Sequence, residues 1–365
     1  MPEKQVALNL VECQEIARSL LPVASYEYIA GGAGDTVTVN ANRQAFERWV
    51  IVPRVLRGIT SVDLSTTVAG QPVSLPVLFA PVAFQRLATD EGELAAAASA
   101  KEAGTIYCLS TLATRSMEDV SRRAGAWWFQ LYCYADREIT RDLIHRAKSA
   151  GAGAILVTVD TPLLGRREAD ERNAFGLPPG LEMANLMKYI QSRMPEDSSG
   201  SSLSAYVSQL WHSSLTWEDI EWIIVEAGIP VGVKGVLSPE DGRLAVEHGA
   251  SIVVVSNHGG RQLDHSIATL DALPAVVEAV AGKAEVLLDG GVRRGTDVIK
   301  AIALGAKAVL IGRPYVWGLA MDGQAGASQV IEMLRAELLL DMHLCGCGSI
   351  AGISRDLLVA ANGVA

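Results

Sequence analysis

Residues 285–314, EVLLDGGVRRGTDVIKAIALGAKAVLIGRP, hold a complete strand–helix–strand unit. EVLLD (285–289) is followed by a Gly-Gly turn and two arginines. Gly295–Gly305 reads as a helix stopped by its terminal glycine, and AVLIG (308–312) is a second apolar run. Each run is too short for a free-standing helix and shows no polar–apolar alternation, as expected of a strand buried on both faces. The same unit recurs upstream. The runs are VSLPVLFAP (73–81), TIYCLS (105–110), WWFQLY (127–132), AILVTVD (154–160), IPVGVK (229–234) and SIVVVS (251–256). Between them Asp90–Gly104, Arg137–Gly151 and Pro239–Gly249 read as helices. Strand–helix units in series predict a parallel sheet with right-handed crossovers, and eight of them close a (β/α)8 TIM barrel. The alternative is a doubly wound open sheet. That fold would carry G-x-G-x-x-G after its first strand, where this chain has Ala80–Pro81.

The chain of 365 residues is 49% hydrophobic and 20% charged, enough for a packed core and unlike a disordered chain. With 31 Lys and Arg against 41 Asp and Glu, the net charge of −10 argues against non-specific nucleic-acid binding but leaves room for a local basic pocket. Cys13, Cys108, Cys133, Cys345 and Cys347 have neither disulfide-framework nor zinc spacing, so reduced thiols are expected and no metal site. With no signal-type N-terminus, no membrane-length apolar run and no Ser-Lys-Leu ending, a cytoplasmic protein is expected, with no membrane partner.

Two segments break the rhythm. Residues 1–70 carry an opening helix, AGGAGD (30–35) and a short hairpin near VDLSTTVAGQPVSL (62–75), and read as a lid and barrel plug within one domain whose barrel spans 71–365. Residues 176–216 form an insertion after strand four that contains EDSSGSSLS (196–204), a mobile lid or disordered loop, with 190–210 expected to be poorly ordered.

Barrel chemistry lies at the C-terminal strand ends. Here those ends carry Ala80–Pro81, Ser110, Gln130 and Tyr132, Thr158 and Asp160, Lys234, Ser256 and His258, Asp289, and Gly312–Arg313. Capping explains one polar strand end; a convergence of so many predicts a site. Lys234 follows an apolar run and calls for an anionic or polar partner. One short loop presents both His258, suited to general-base work, and Arg261, suited to a carboxylate, and Asp160 can orient the histidine. Arg166 and Arg167 can supply a second cation. The Gly/Arg ends of units seven and eight predict a phosphate site. The residues thus describe a barrel that binds a phosphorylated cofactor beside a carboxylate substrate.

At SNHGGRQLD (256–264), LDGGVRRGTDV (288–298), LIGRP (310–314), TVDTPLLGRRE (158–168), FQLY (129–132) and VKGV (233–236) the chain resembles the FMN-dependent L-2-hydroxy-acid oxidase and dehydrogenase family, which includes glycolate oxidase and lactate oxidase. The resemblance runs from about Leu20 to Leu358. It implies FMN as cofactor, a small 2-hydroxy acid and O2 as substrates, H2O2 as product, and a homo-oligomer (tetramer or octamer). It implies that His258 takes the substrate hydroxyl proton with Asp160 as its partner. Tyr132 meets that hydroxyl, and Arg261, Arg167 and Tyr28 hold the carboxylate. Ala80, Pro81, Val82, Ala83, Ser110, Gln130, Thr158 and Ser256 fall at flavin positions. Lys234 falls at flavin N1 and O2, Asp289 at the ribityl chain, and Gly291, Arg293, Gly312 and Arg313 at the phosphate. Ala83 stands where the family varies between alanine and glycine, and leans towards an oxidase. Leu112 replaces a tryptophan of plant glycolate oxidases and Val82 a threonine. Both changes favour L-lactate and longer aliphatic acids over glycolate, with mandelate also admitted. The rivals are the same half-reaction with a quinone or other acceptor, an FMN barrel isomerase acting on a diphosphate, which would leave His258 and Arg261 idle, and a non-enzymatic flavin binder.

Overall fold

The computed structural model describes residues 7–190 and 212–361. Eight parallel strands close into a barrel: Val77–Phe79, Tyr107–Ser110, Trp127–Leu131, Ile155–Thr158, Val231–Val236, Ile252–Val255, Glu285–Asp289 and Ala308–Ile311. Helices lie between successive strands, and the fold is the expected (β/α)8 TIM barrel. The run 73–81 is divided. Only Val77–Phe79 joins the barrel, while Val73 belongs to the hairpin Thr66–Val68/Gln71–Val73. Pro76, without an N–H, separates the two.

Alternate strand residues point to opposite faces. Val77, Phe79, Tyr107, Leu109, Ile155 and Val157 pack outward into the main core with the helices, whereas Leu78, Cys108, Trp128, Leu156, Val254, Leu287 and Leu310 form a separate interior cluster. Both faces are apolar, which is why the strands show direction without polarity alternation. The interior cluster includes Val68 and Val73, so the hairpin packs across the N-terminal end of the barrel. Hydrogen bonds tie it there, among them Trp128 Nε1 to Gln71 Oε1 (2.8 Å), Ala69 N to Glu285 Oε2 (2.6 Å) and Ser74 N to Gly104 O (2.8 Å).

Helices Leu10–Leu20, Val23–Ala30 and Val37–Glu47 precede the hairpin. The second brings Tyr28 and Ile29 to the opposite, C-terminal end. Beyond strand four, the chain forms helix Met187–Ile190. The expectation of poor order over 190–210 falls, apart from Ile190, outside the described residues. Among the described residues no helix is long and apolar enough to cross a membrane.

Gln71→Leu leaves the wholly buried Trp128 indole N–H without its acceptor. Equilibrium urea unfolding should show a loss of about 1–3 kcal/mol. Ligand binding in the cavity described next should stay unchanged, because the hairpin lies at the far end of the barrel from it.

Candidate active site

The inward series on the strands continues past the apolar layers into polar residues: Trp128–Gln130–Tyr132, Leu156–Thr158–Asp160, Val254–Ser256–His258 and Leu287–Asp289. They surround a cavity of about 300 Å³ at the C-terminal mouth, of a size that suits a small organic ligand. Strand register places Ser110 beside Gln130 and Thr158 beside Lys234. Ser110 Oγ donates to Gln130 Oε1 (3.1 Å), and Gln130 Nε2 to Thr158 Oγ1 (2.9 Å). Lys234 Nζ lies 2.9 Å from Ser256 Oγ and 2.8 Å from Asp289 Oδ2. Burial works against the lysine's charge, but Asp289 and Asp160 outweigh it and raise its pKa.

His258 Nδ1 lies 3.0 Å from Asp160 Oδ1. A carboxylate accepts only, so Nδ1 carries the hydrogen and Nε2 keeps its lone pair. Burial lowers the histidine pKa, with Lys234 and Arg167 adding to it and Asp160 opposing, so the imidazole is neutral and ready to accept a proton. Asp160 is ionised: desolvation opposes its charge, but His258 and Lys234 prevail and lower its pKa. The loop that aims His258 is strained. His258, Gly259 and Gly260 have φ of 59°, 65° and 75°, a left-handed run that costs a histidine free energy and is typical of functional sites. Gly260 also meets helix Val37–Glu47, where a Cβ would stand 2.7 Å from Val39 N. Gly235 serves Asp160 in the same way, since a Cβ there would approach within 2.6 Å of the Asp160 Cβ.

The mouth is rich in half-buried arginine. Arg261 Nη1 donates to Tyr28 O (2.6 Å) and Gly31 O (3.1 Å), and its guanidinium lies 5.0 Å from the Tyr28 ring centroid. Arg313 donates to Ile29 O (3.1 Å), Gly259 O (2.9 Å) and Gly31 O (2.7 Å). Arg293 donates to Val292 O (2.8 Å) and covers Trp317 at 4.8 Å. None of the three has a carboxylate in salt-bridge range among the described residues. Burial, reinforced by neighbouring cations, pulls Arg261 and Arg293 down to about 9 and Arg313 to about 10. A site built this way calls for anions.

The donor set fits FMN. Arg293, Arg313 and the N-terminus of helix Arg313–Cys345, which begins after the uncapped Gly312, suit a phosphate. Asp289 Oδ1 is buried without a protein partner among the described residues and suits a ribityl hydroxyl. Arg167 and Arg261, nearer His258, suit a carboxylate.

Of the residues singled out from sequence, Tyr28, Ala80, Pro81, Val82, Ala83, Ser110, Leu112, Gln130, Tyr132, Thr158, Arg167, Lys234, His258, Arg261, Asp289, Gly291, Arg293, Gly312 and Arg313 line the cavity, and Asp160 stands behind His258. Two differ. Ser256 does not reach the cavity: wholly buried, it partners Lys234 and accepts the His258 N–H (3.1 Å). Arg166 turns outward to Glu171 and Glu168, leaving Arg167 as the cation after strand four. Phe84, Leu164, Asp170, Phe175 and Met183 line the cavity without having been expected. Phe175 stacks on Tyr28 at 4.2 Å, and Asp170 Oδ2 is 3.5 Å from Arg167 Nη1. Large apolar residues in the otherwise polar segment after strand four were the available signal.

The family model described as FMN-dependent dehydrogenase matches residues 17–360. An L-lactate oxidase of Nostoc sp. is 50% identical, over 96% of this chain and 98% of its own. Glycolate oxidase of Spinacia oleracea is 48% identical, over 96% and 95%. Human 2-hydroxyacid oxidase 1 is 48% identical, over 94% of each. The solved structure of a mandelate oxidase with (S)-4-hydroxymandelic acid superposes with a TM-score of 0.91 at 42% identity, covering 97% of this chain and 98% of that one. With a family match over almost its entire length and a cavity whose donors suit a flavin phosphate beside a carboxylate, the chain belongs to the FMN-dependent 2-hydroxy-acid oxidases.

Proposed function

We propose that the enzyme oxidises L-lactate and somewhat longer aliphatic L-2-hydroxy acids to 2-oxo acids, with O2 reduced to H2O2 and glycolate a poorer substrate. The observation that carries this reading is the apolar part of the lining, Val82, Phe84, Leu112, Phe175 and Met183, in the same cavity as His258 and Arg261. Glycolate has no C3 group to fill that space. The relatives named for lactate and for glycolate are almost equally similar, so overall identity does not choose between them.

In this reading Arg261 and Arg167 hold the carboxylate, with the Tyr28 ring against Arg261. Tyr132 meets the hydroxyl, and His258 Nε2 takes its proton while Asp160 stabilises the resulting imidazolium. FMN, when bound, would accept the two electrons and the C2 hydrogen that leave as C2 becomes a carbonyl. Lys234, backed by Asp289 and Ser256, is a fixed positive charge that would stabilise negative charge on the reduced flavin. Arg293 and Arg313 grip the phosphate. A homo-oligomer belongs to the same reading, as the family resemblance implies.

His258→Ala removes the base and leaves the phosphate residues in place. Turnover of L-lactate should fall by at least about 10²- to 10⁴-fold with FMN retained, and a variant keeping a tenth of the rate would exclude the role. The depressed pKa of His258 moves its protonation to lower pH. The acid limb of kcat/KM, which reports the free enzyme, should therefore have its midpoint below the ordinary histidine value of about 6.5. A midpoint above that value would contradict a neutral, desolvated base.

Leu112→Trp puts an aromatic ring where C3 would sit. Glycolate should be spared, while lactate and 2-hydroxybutyrate lose about 10-fold or more in relative kcat/KM per added methylene. A folding defect would lower all substrates together, so the ratio is the quantity to measure. A lactate-to-glycolate ratio within about threefold of wild type would remove Leu112 as a pocket wall.

A further inference from the structure

Behind the first strand end lies a buried polar group that the reaction as described does not use. Gln85 is 1% exposed, and its Nε2 stands 3.1 Å from Val82 O, 2.9 Å from the Tyr107 hydroxyl and 3.0 Å from the Tyr315 hydroxyl. Tyr315 donates its own hydroxyl hydrogen to Ala80 O at 2.9 Å. Gln85 is anchored in turn: its backbone N–H donates to Glu93 Oε1 (3.0 Å), and the wholly buried Glu93 also accepts from Thr114 N (2.8 Å) and Thr114 Oγ1 (2.7 Å). None of Gln85, Glu93, Tyr107 and Tyr315 lines the cavity, whereas Ala80 to Phe84 all do.

We propose that Gln85 and Tyr315 are positioning residues that hold the Ala80–Ala83 backbone from behind and thereby aim the Ala83 N–H into the cavity. The reason is the planarity of the peptide. In a trans peptide the carbonyl of one residue and the N–H of the next point in opposite directions. Gln85 draws the Val82 carbonyl away from the cavity, so the Ala83 N–H faces into it, and that N–H has no acceptor among the described residues. Tyr315 fixes the Ala80 carbonyl in the same sense, and Pro81 between them has no N–H to compete. Two carbonyls are thus pinned within three residues, and a left-handed Phe84 (φ 59°) closes the segment. The network presents one backbone donor, at a set angle, to the group that occupies the cavity. This rests on the placement of FMN against Ala80–Ala83 given above.

The test uses holoenzyme of Tyr315→Phe, Gln85→Leu and the double variant. Each is read by its visible flavin spectrum, its FMN Kd from apoprotein titration, its kcat and KM for L-lactate, and its urea midpoint. Both single variants should shift the flavin absorption bands and lower kcat by about 10- to 100-fold, the scale for misplacing a reacting group from a distance. KM should change by less than about threefold, because the carboxylate residues are untouched. FMN Kd should rise by no more than about tenfold, the scale of one hydrogen bond, because the phosphate grip remains. The double variant should be little worse than the poorer single, since both act on one segment. Flavin spectra that superimpose on wild type with kcat within about threefold would overturn the inference, even if the urea midpoint falls, because the network would then be scaffold only. Wild-type protein that takes up no FMN would instead overturn the cofactor placement beneath it.

Discussion

Positive charge gathers half-buried at the mouth of this barrel, with no carboxylate of the described residues in salt-bridge range of Arg261, Arg293 or Arg313. Arg261, Arg293 and Arg313 are solvated by the carbonyls of Tyr28, Ile29, Gly31, Gly259 and Val292, which carry only partial charge. Several of these oxygens lie at the C-terminal end of helix Val23–Ala30, where the helix dipole is negative, so the N-terminal segment makes the cluster tolerable. It does not neutralise it. The pKa values of these arginines are pulled down for that reason, and a phosphate or carboxylate relieves the penalty on arrival. An acidic chain of net charge −10 thus keeps a local anion site, and the binding of its ligands contributes to the stability of the folded state.

Lys234 and His258 show the opposite arrangement. Their counter-charges are supplied by the protein: Asp289 for the lysine and Asp160 for the histidine. Lys234 stays charged and His258 stays neutral in the same desolvated space, because the lysine gains more from two carboxylates than burial removes, while the histidine gains less. A fixed cation and a free base side by side divide the labour of a reaction that removes a proton and stabilises negative charge. The close approach that permits this depends on glycine at Gly235 and Gly260, where no side chain would fit.

The ordering of the strands explains how so much of this was visible in one dimension. Side chains alternate along a strand, so a polar residue at the end of an apolar run, two positions beyond an interior residue, faces the mouth. Gln130, Thr158, Asp289 and His258 all obey that rule. Ser256 obeys it as well, yet its hydroxyl is taken by Lys234 and it stays out of the cavity lining, a contact that no strand pattern encodes. By position after strand four alone, Arg166 and Arg167 are equivalent, and only the resemblance picks out Arg167. The turn into helix Glu168–Arg172 sends one to surface carboxylates and the other to the cavity.

What the sequence determined by itself was the repeating strand–helix unit, the count of eight that closes the barrel, and the chemistry at the strand ends, because each depends on local periodicity and on one fixed geometric rule. Contacts between distant segments were set by packing in three dimensions. The stacking of Phe175 on Tyr28, the approach of Asp170 to Arg167, the helix carbonyls that receive Arg261 and Arg313, and the Gln85 group behind Ala80–Ala83 each join residues set by the packing of loops and helices. Such contacts follow from where whole elements come to rest, and no spacing along the chain records that.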